Sequence, residues 1–197
     1  MRSTALVCLA LLAISPAPVR AATSDDPDWP CIQRLVPRIT AAQVWGGPEP
    51  GAWQGDLDVD RLAAKLAARK TPIADTEKLV EAFVEAQPEA EVNDRLTAVM
   101  GRTLDIINRD RASIIAGIKR FSQRQRALAE RIRKTRATIK ETAGSAALSN
   151  DMAEQLSWDL RIFDEREKSM TYLCEQPVLL EQRAFALGRT LYFFVED

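Results

Sequence analysis

Histidine is absent from all 197 residues, which removes most of the side-chain chemistry that enzymes use near neutral pH. No Ser-His-Asp or Cys-His pair can form, and no His-type zinc site, Glu-x-x-His di-iron helix or haem His ligand either. Cys8, Cys31 and Cys174 lie far apart, so there is no Cys-x-x-Cys redox motif. Carboxylates remain. Glu165 and Glu167 fall on the surface of a helical pattern, whereas two-carboxylate catalysis needs its pair facing across a cleft. Asp56-Leu57-Asp58-Val59-Asp60 opens like a calcium loop and then departs from it. Arg61 stands where the turn glycine belongs, and Ala67 where the bidentate glutamate belongs. The residues predict no catalytic set, no metal site and no cofactor.

What is left is charge and aromatic surface. Lys119, Arg120, Arg124, Arg126, Arg131, Arg133, Lys134 and Arg136 crowd one short stretch, opposed within it by Glu130 alone. Such a run is either a solvated face neutralised by a neighbouring acidic segment or a docking surface for an anionic partner. The acidic residues Glu154, Asp164, Glu165 and Glu167 are expected to supply the neutralisation if the first reading holds. On the second, an exported chain does not meet nucleic acid. A membrane-surface helix would carry Trp and Leu on its other face, where this one carries a heptad seam. Acidic protein, anionic lipid and cell-wall polymer are the partner classes that export leaves, and the seam favours a protein. Trp29, Trp45 and Trp53 form the other constellation, read either as anchors of a chain segment wrapped over a helical body or as a ligand pocket. The overall net charge of −1 selects no partner class by itself.

These residues must be positioned by helices. From Glu89 to Thr142 no proline occurs, and apolar side chains recur at spacings of three and four, predicting one helix of about 80 Å. Val92, Leu96, Val99, Thr103 and Ile107 begin the stripe, which is irregular near Asp110. From Ile114 it becomes a heptad through Ile118, Phe121, Gln125, Leu128, Ile132, Thr135 and Ile139. Gly144-Ser145 marks a turn. A return arm capped by Ser149 repeats Met152, Leu156, Phe163, Met170 and Leu173, with Asp159 and Arg166 on the same seam, and a final helix opens at Pro177. Folding the two arms together sets Ile132 against Leu160 and Ile118 near Cys174. Two short helices precede the hairpin within 58–87, one capped by Asp58 or Asp60, the other started by Thr71-Pro72. Before them, residues 22–57 are irregular and rich in Pro and Trp, with a short helix expected over Ile32 to Ile39, broken by Pro37.

The first 21 residues read as a signal peptide: Arg2, an apolar run from Thr4 to Ile14, and Val19-Arg20-Ala21 at the cleavage site. That run is shorter than a membrane span, and no later segment reaches ~20 apolar residues. Export leaves Cys31 and Cys174 as an even pair, predicting one disulfide that closes a long loop and contributes ~4–5 kcal/mol in chain-entropy terms. Together these features predict an all-α protein, residues 22–197 forming one exported, periplasmic domain. Its architecture is a long antiparallel helical hairpin (a coiled-coil arm) on a small helical base with an irregular N-terminal wrap. The expected role is a non-catalytic accessory, scaffold or adaptor subunit that meets an envelope protein, or a second copy of itself, through the arm. The alternatives are a small-ligand carrier using the three tryptophans and, behind it, a carboxylate-only enzyme. N-terminal sequencing of the exported protein is expected to begin at Ala22; a chain retaining Met1 would contradict the leader assignment.

Overall fold

The computed structural model describes residues 26–51, 55–141 and 146–195, and no strand forms among them. Two helices dominate. α4 spans Val92–Glu141 and α5 spans Ala146–Tyr192, packed as the antiparallel hairpin that the heptad spacing predicts. At ~1.5 Å per residue each runs roughly 70–75 Å. Three shorter helices, α1 (Ala41–Val44), α2 (Leu57–Ala67) and α3 (Thr76–Glu85), lie beside the end of the hairpin where α4 begins and α5 finishes. No helix among the described residues is long and apolar enough to cross a membrane. The expected signal peptide, Trp53 and the expected turn at Gly144-Ser145 lie outside the described residues.

The core gathers at that end. Leu62 and Leu66 of α2, Val80 and Phe83 of α3, Leu96, Val99, Leu104 and Ile107 of α4, and Leu180, Leu187 and Leu191 of α5 form one buried cluster. Ile39, Val44 and Trp45 close it from the N-terminal wrap. Beyond it the hairpin continues as two helices alone, with Leu128 and Ile132 buried while Leu156, Phe163 and Met170 are only half-buried. A base and a projecting arm are therefore both present.

Cys31 and Cys174 are bonded, 143 residues apart in sequence with Cα atoms 5.6 Å apart, tying the wrap to the middle of α5. The hairpin register matches the expected one to within a turn. Ile132 and Leu160 line the same groove, Arg131 meets Asp159, and Gln125 Nε2 donates to the Phe163 carbonyl at 2.9 Å.

Several boundaries differ from the sequence expectation, each for a local reason. Residues 32–39 are not helical, and Ile32 is fully exposed. The Ile39 N–H and carbonyl are instead taken by the Asn108 side-chain amide, both at 2.8 Å, and Pro37 offers no N–H to a helix. α2 is capped by Asp56, which accepts from the N–H groups of Asp58 and Val59; Asp58 and Asp60 sit within its first turn. Thr71-Pro72 leads into a short 3-10 turn, Ile73–Asp75, before α3. α5 starts at Ala146, ahead of Ser149, and passes through Pro177 unbroken. A proline inside a helix costs about 3 kcal/mol. Tertiary contacts hold this one, since Arg111 Nε donates to the Pro177 carbonyl at 3.2 Å and Cys174 is pinned by its disulfide one turn earlier.

Two glycines test this packing in opposite directions. A Cβ on Gly188 would stand 1.9 Å from the Val44 carbonyl oxygen, so α5 touches α1 backbone to side-chain position here. Gly188→Ala is expected to cost about 1–3 kcal/mol through overpacking, lowering the melting temperature by roughly 3–10 °C. Gly117 has nothing nearer than the Arg120 guanidinium at 4.0 Å. Gly117→Ala is therefore expected to raise stability by up to about 1 kcal/mol, the ordinary helix-interior gain. Thermal melts of both variants check the pair, and equal effects of one sign would contradict the packing.

Candidate functional site

The basic run lies on α4 at and beyond the level where the base ends, and the structure divides it into three groups. The first is bound to the wrap. Lys119 Nζ reaches Asp26 at 2.6 Å, and Arg126 meets Asp28 and donates to the Pro27 carbonyl at 2.9 Å. Gln123 Nε2 adds a bond to Asp28 at 2.5 Å. The second group is held within the arm. Arg131 forks onto Asp159 with bonds of 2.7 and 2.6 Å, and Arg133 and Lys134 both reach Glu130. The third group is Arg120, Arg124 and Arg136. Among the described residues no carboxylate lies within ion-pair distance of these three; Arg124 stands 6.0 Å over the Phe121 ring.

The neutralising acids are thus not those expected. Glu154, Asp164, Glu165 and Glu167 are exposed on α5 and pair with no lysine or arginine among the described residues. Helix geometry explains the difference. The seam of α5 is carried by Met152, Leu156, Asp159, Phe163, Arg166 and Met170, and the four acids fall off it, Asp164 at the rim of the groove between the helices. Only Asp159, on the seam and 1 % exposed, reaches across.

Electrostatics follow these contacts. The hydrogen bond from Lys119 holds the Asp26 carboxyl below the usual carboxylate range, and those from Gln123 and then Arg126 do the same for Asp28. Arg131 lowers Asp159 and is itself raised by it, while Arg133 lowers Glu130. In the base, burial pulls the Arg111 and Arg183 guanidiniums below their ordinary value. Arg183 places Nε 2.8 Å from the Leu66 carbonyl, capping the C-terminal end of α2.

The arm also carries a groove of about 490 Å³. Ala129, Ile132, Arg133 and Arg136 line it from α4, and Leu160, Phe163 and Asp164 from α5. The tryptophans are dispersed. Trp45 is buried, its indole N–H donates to the Pro48 carbonyl at 2.7 Å, and its ring stands edge-on to Tyr192. Trp29 donates to the Gln33 carbonyl and lines a separate crevice of about 40 Å³ beside Arg111 and Cys174. Trp158, outside the predicted set, is more than half exposed on the arm beneath Arg161. Asp56, Asp58 and Asp60 are engaged by Arg95, Arg61 and Arg102 respectively, and do not converge. Among the described residues no group of three His, Cys, Asp or Glu could hold a metal ion.

Asp26, Asp28, Asn108 and Arg111 are the structural residues that sequence reasoning passed over. The signal for the last two was present as the irregular stripe near Asp110, where polar side chains occupy the buried face. The fold and surface define a disulfide-stapled helical hairpin with a basic, partly unpaired arm. Comparison with protein-family models, curated proteins and solved structures yields no match.

The wrap contacts are acid-sensitive in a definite direction. Asp26 and Asp28 are lowered in the folded state, so their contribution is present above the unfolded value near ~3.9 and is lost as pH falls through the folded values. The double variant Asp26→Asn/Asp28→Asn is expected to melt lower than the natural protein at about pH 7 and to match it near pH 2. A melting difference that stays constant across that range would show that these carboxylates contribute nothing as charges.

Proposed function

We propose that the protein is a non-catalytic, exported helical scaffold or adaptor that presents its arm to an acidic surface on another envelope protein. The observation that carries this reading is the pair Arg120 and Arg124, one helical turn apart and exposed at the root of the arm, with no carboxylate paired to either among the described residues. A pair of exposed guanidiniums, Arg124 over the Phe121 ring, suits recognition of carboxylates, for which arginine's planar fork is better shaped than lysine. The disulfide suits an oxidising compartment such as the periplasm, where the leader would deliver the chain. The base gives the arm a fixed root, and the absence of histidine leaves the chain without the usual acid–base and nucleophilic pairs.

A photo-crosslinker at position 124 is expected to join the chain in cells to one discrete envelope protein. Arg120→Glu/Arg124→Glu should reduce co-purification of that protein by about tenfold or more, with the melting temperature unchanged, since removing exposed charges hardly alters stability. A crosslinked product insensitive to this double reversal, or no product at all, would remove the adaptor reading.

A further inference from the structure

The two helices of the arm carry opposite charge. Residues 119–141 of α4 hold nine Lys or Arg against two Glu, while residues 150–175 of α5 hold seven Asp or Glu against three Lys or Arg. Part of this is satisfied internally, by the wrap and by Arg131–Asp159. Along the groove it is not. Arg136 on the α4 side has no paired carboxylate among the described residues, and Asp164 on the α5 side has no paired cation. Arg133 is held only by an exposed i,i+3 contact with Glu130, of a kind that is worth little and exchanges readily. Between these rims the floor is apolar, with Ile132, Leu160 and Phe163. The half-burial of Leu156, Phe163 and Met170 shows that two helices alone do not close the seam.

We propose that the occupant of this groove is a second copy of the chain, packed arm against arm with both tips pointing the same way. Charge complementarity selects both the occupant and the symmetry. A two-fold axis parallel to the arm exchanges left with right as well as front with back, so α4 of each copy lies on α5 of the other, basic on acidic. A two-fold axis across the arm would set α4 on α4 and α5 on α5, like charge on like. The parallel axis also makes every neighbouring pair of helices antiparallel, the arrangement of an up-and-down four-helix bundle, with Ile132, Leu160 and Phe163 of both copies inside. Arg133 and Arg136 then lie on the basic half of the shared face, and Asp164 and Glu167 on the acidic half that the other copy presents to it. The uncovered arm past Arg126, ~22 Å long and about two helices wide, gives roughly 400 Å² per copy, or about 800 Å² in all. An interface of that size is a weak, transient one, for which we take a dissociation constant in the micromolar range. This dimer uses a different set of residues from Arg120 and Arg124 and does not depend on the adaptor reading.

The test is sedimentation equilibrium of the full exported chain at about 100 µM, well above a micromolar dissociation constant. The natural protein is expected at twice the chain mass and to dissociate as salt is raised toward ~1 M. Arg133→Glu/Arg136→Glu and Asp164→Lys/Glu167→Lys should each be monomeric, because each places like charges on both halves of the interface. An equimolar mixture of the two variants should return to dimer mass, since every contact in the mixed pair is again opposite in sign. Recovery on mixing also shows that both variants are folded. A monomeric natural protein at this concentration overturns the proposal. So do variants that remain dimeric, variants that fail to recover on mixing, or a groove crosslinker at position 163 that captures a different protein in place of a second copy.

Discussion

An apolar seam between two helices must be covered; α2 and α3 do so at the base, and among the described residues the wrap is the segment that reaches farthest toward the tip. Everything in the architecture follows from how far that segment reaches. The wrap enters the core at Ile39, Val44 and Trp45, is bonded to α5 at Cys174, and meets α4 last at Lys119, Gln123 and Arg126. Short of that level the hairpin packs against the wrap, α2 and α3. Past it α4 and α5 have only each other. The division between base and arm is thus the end of the cover, and the disulfide fixes where the cover ends.

The base is held by polar groups placed where the wrap and the short helices leave backbone unsatisfied. Asn108 pairs both its amide donor and its acceptor with Ile39, substituting for the strand neighbour that an extended segment lacks. Arg183 donates twice to the Leu66 carbonyl near the end of α2, and Arg111 to the Pro177 carbonyl. Both guanidiniums are desolvated, and each meets a carbonyl. On the arm the comparable features are the buried Asp159, held by Arg131 and Gln155, and the Gln125 amide on the Phe163 carbonyl, which fix the register of the two helices without adding a core. Rigidity at the root and openness along the arm come from the same accounting of buried polar groups.

Much of this was legible in the sequence because hydrophobic period is a strong signal over long segments. The spacing from Val92 to Ile139 and its echo from Met152 to Leu173 gave the hairpin and its register to within a turn, and the cysteine count after the leader gave the pairing of Cys31 with Cys174. Less was legible where a tertiary contact overrides a local rule. Pro177 reads as a helix start, yet α5 runs through it because Arg111 and the disulfide hold both flanks. Ile32 to Ile39 reads as helical from its apolar content, yet the amide of Asn108, 69 residues away, claims its backbone. The basic run was visible by composition, but its partners were not. Spacing alone puts Glu154 and Asp164 near it in sequence register without saying that they stay exposed, and nothing local marks Asp26 and Asp28 as its acidic clamp.

The most direct measurement is hydrogen exchange followed by mass spectrometry on dilute, monomeric protein, with the disulfide intact and then reduced. With it intact, amides in 127–141 and 150–170 should exchange much faster than those in 96–107 and 180–191, with the change falling near Arg126 and Cys174. On reduction, protection should be lost from 26–40 and from the adjoining turns of α4, while 96–107 and 180–191 keep theirs. Uniform protection along α4, or a wrap indifferent to reduction, would contradict the account that the stapled wrap sets the boundary between base and arm.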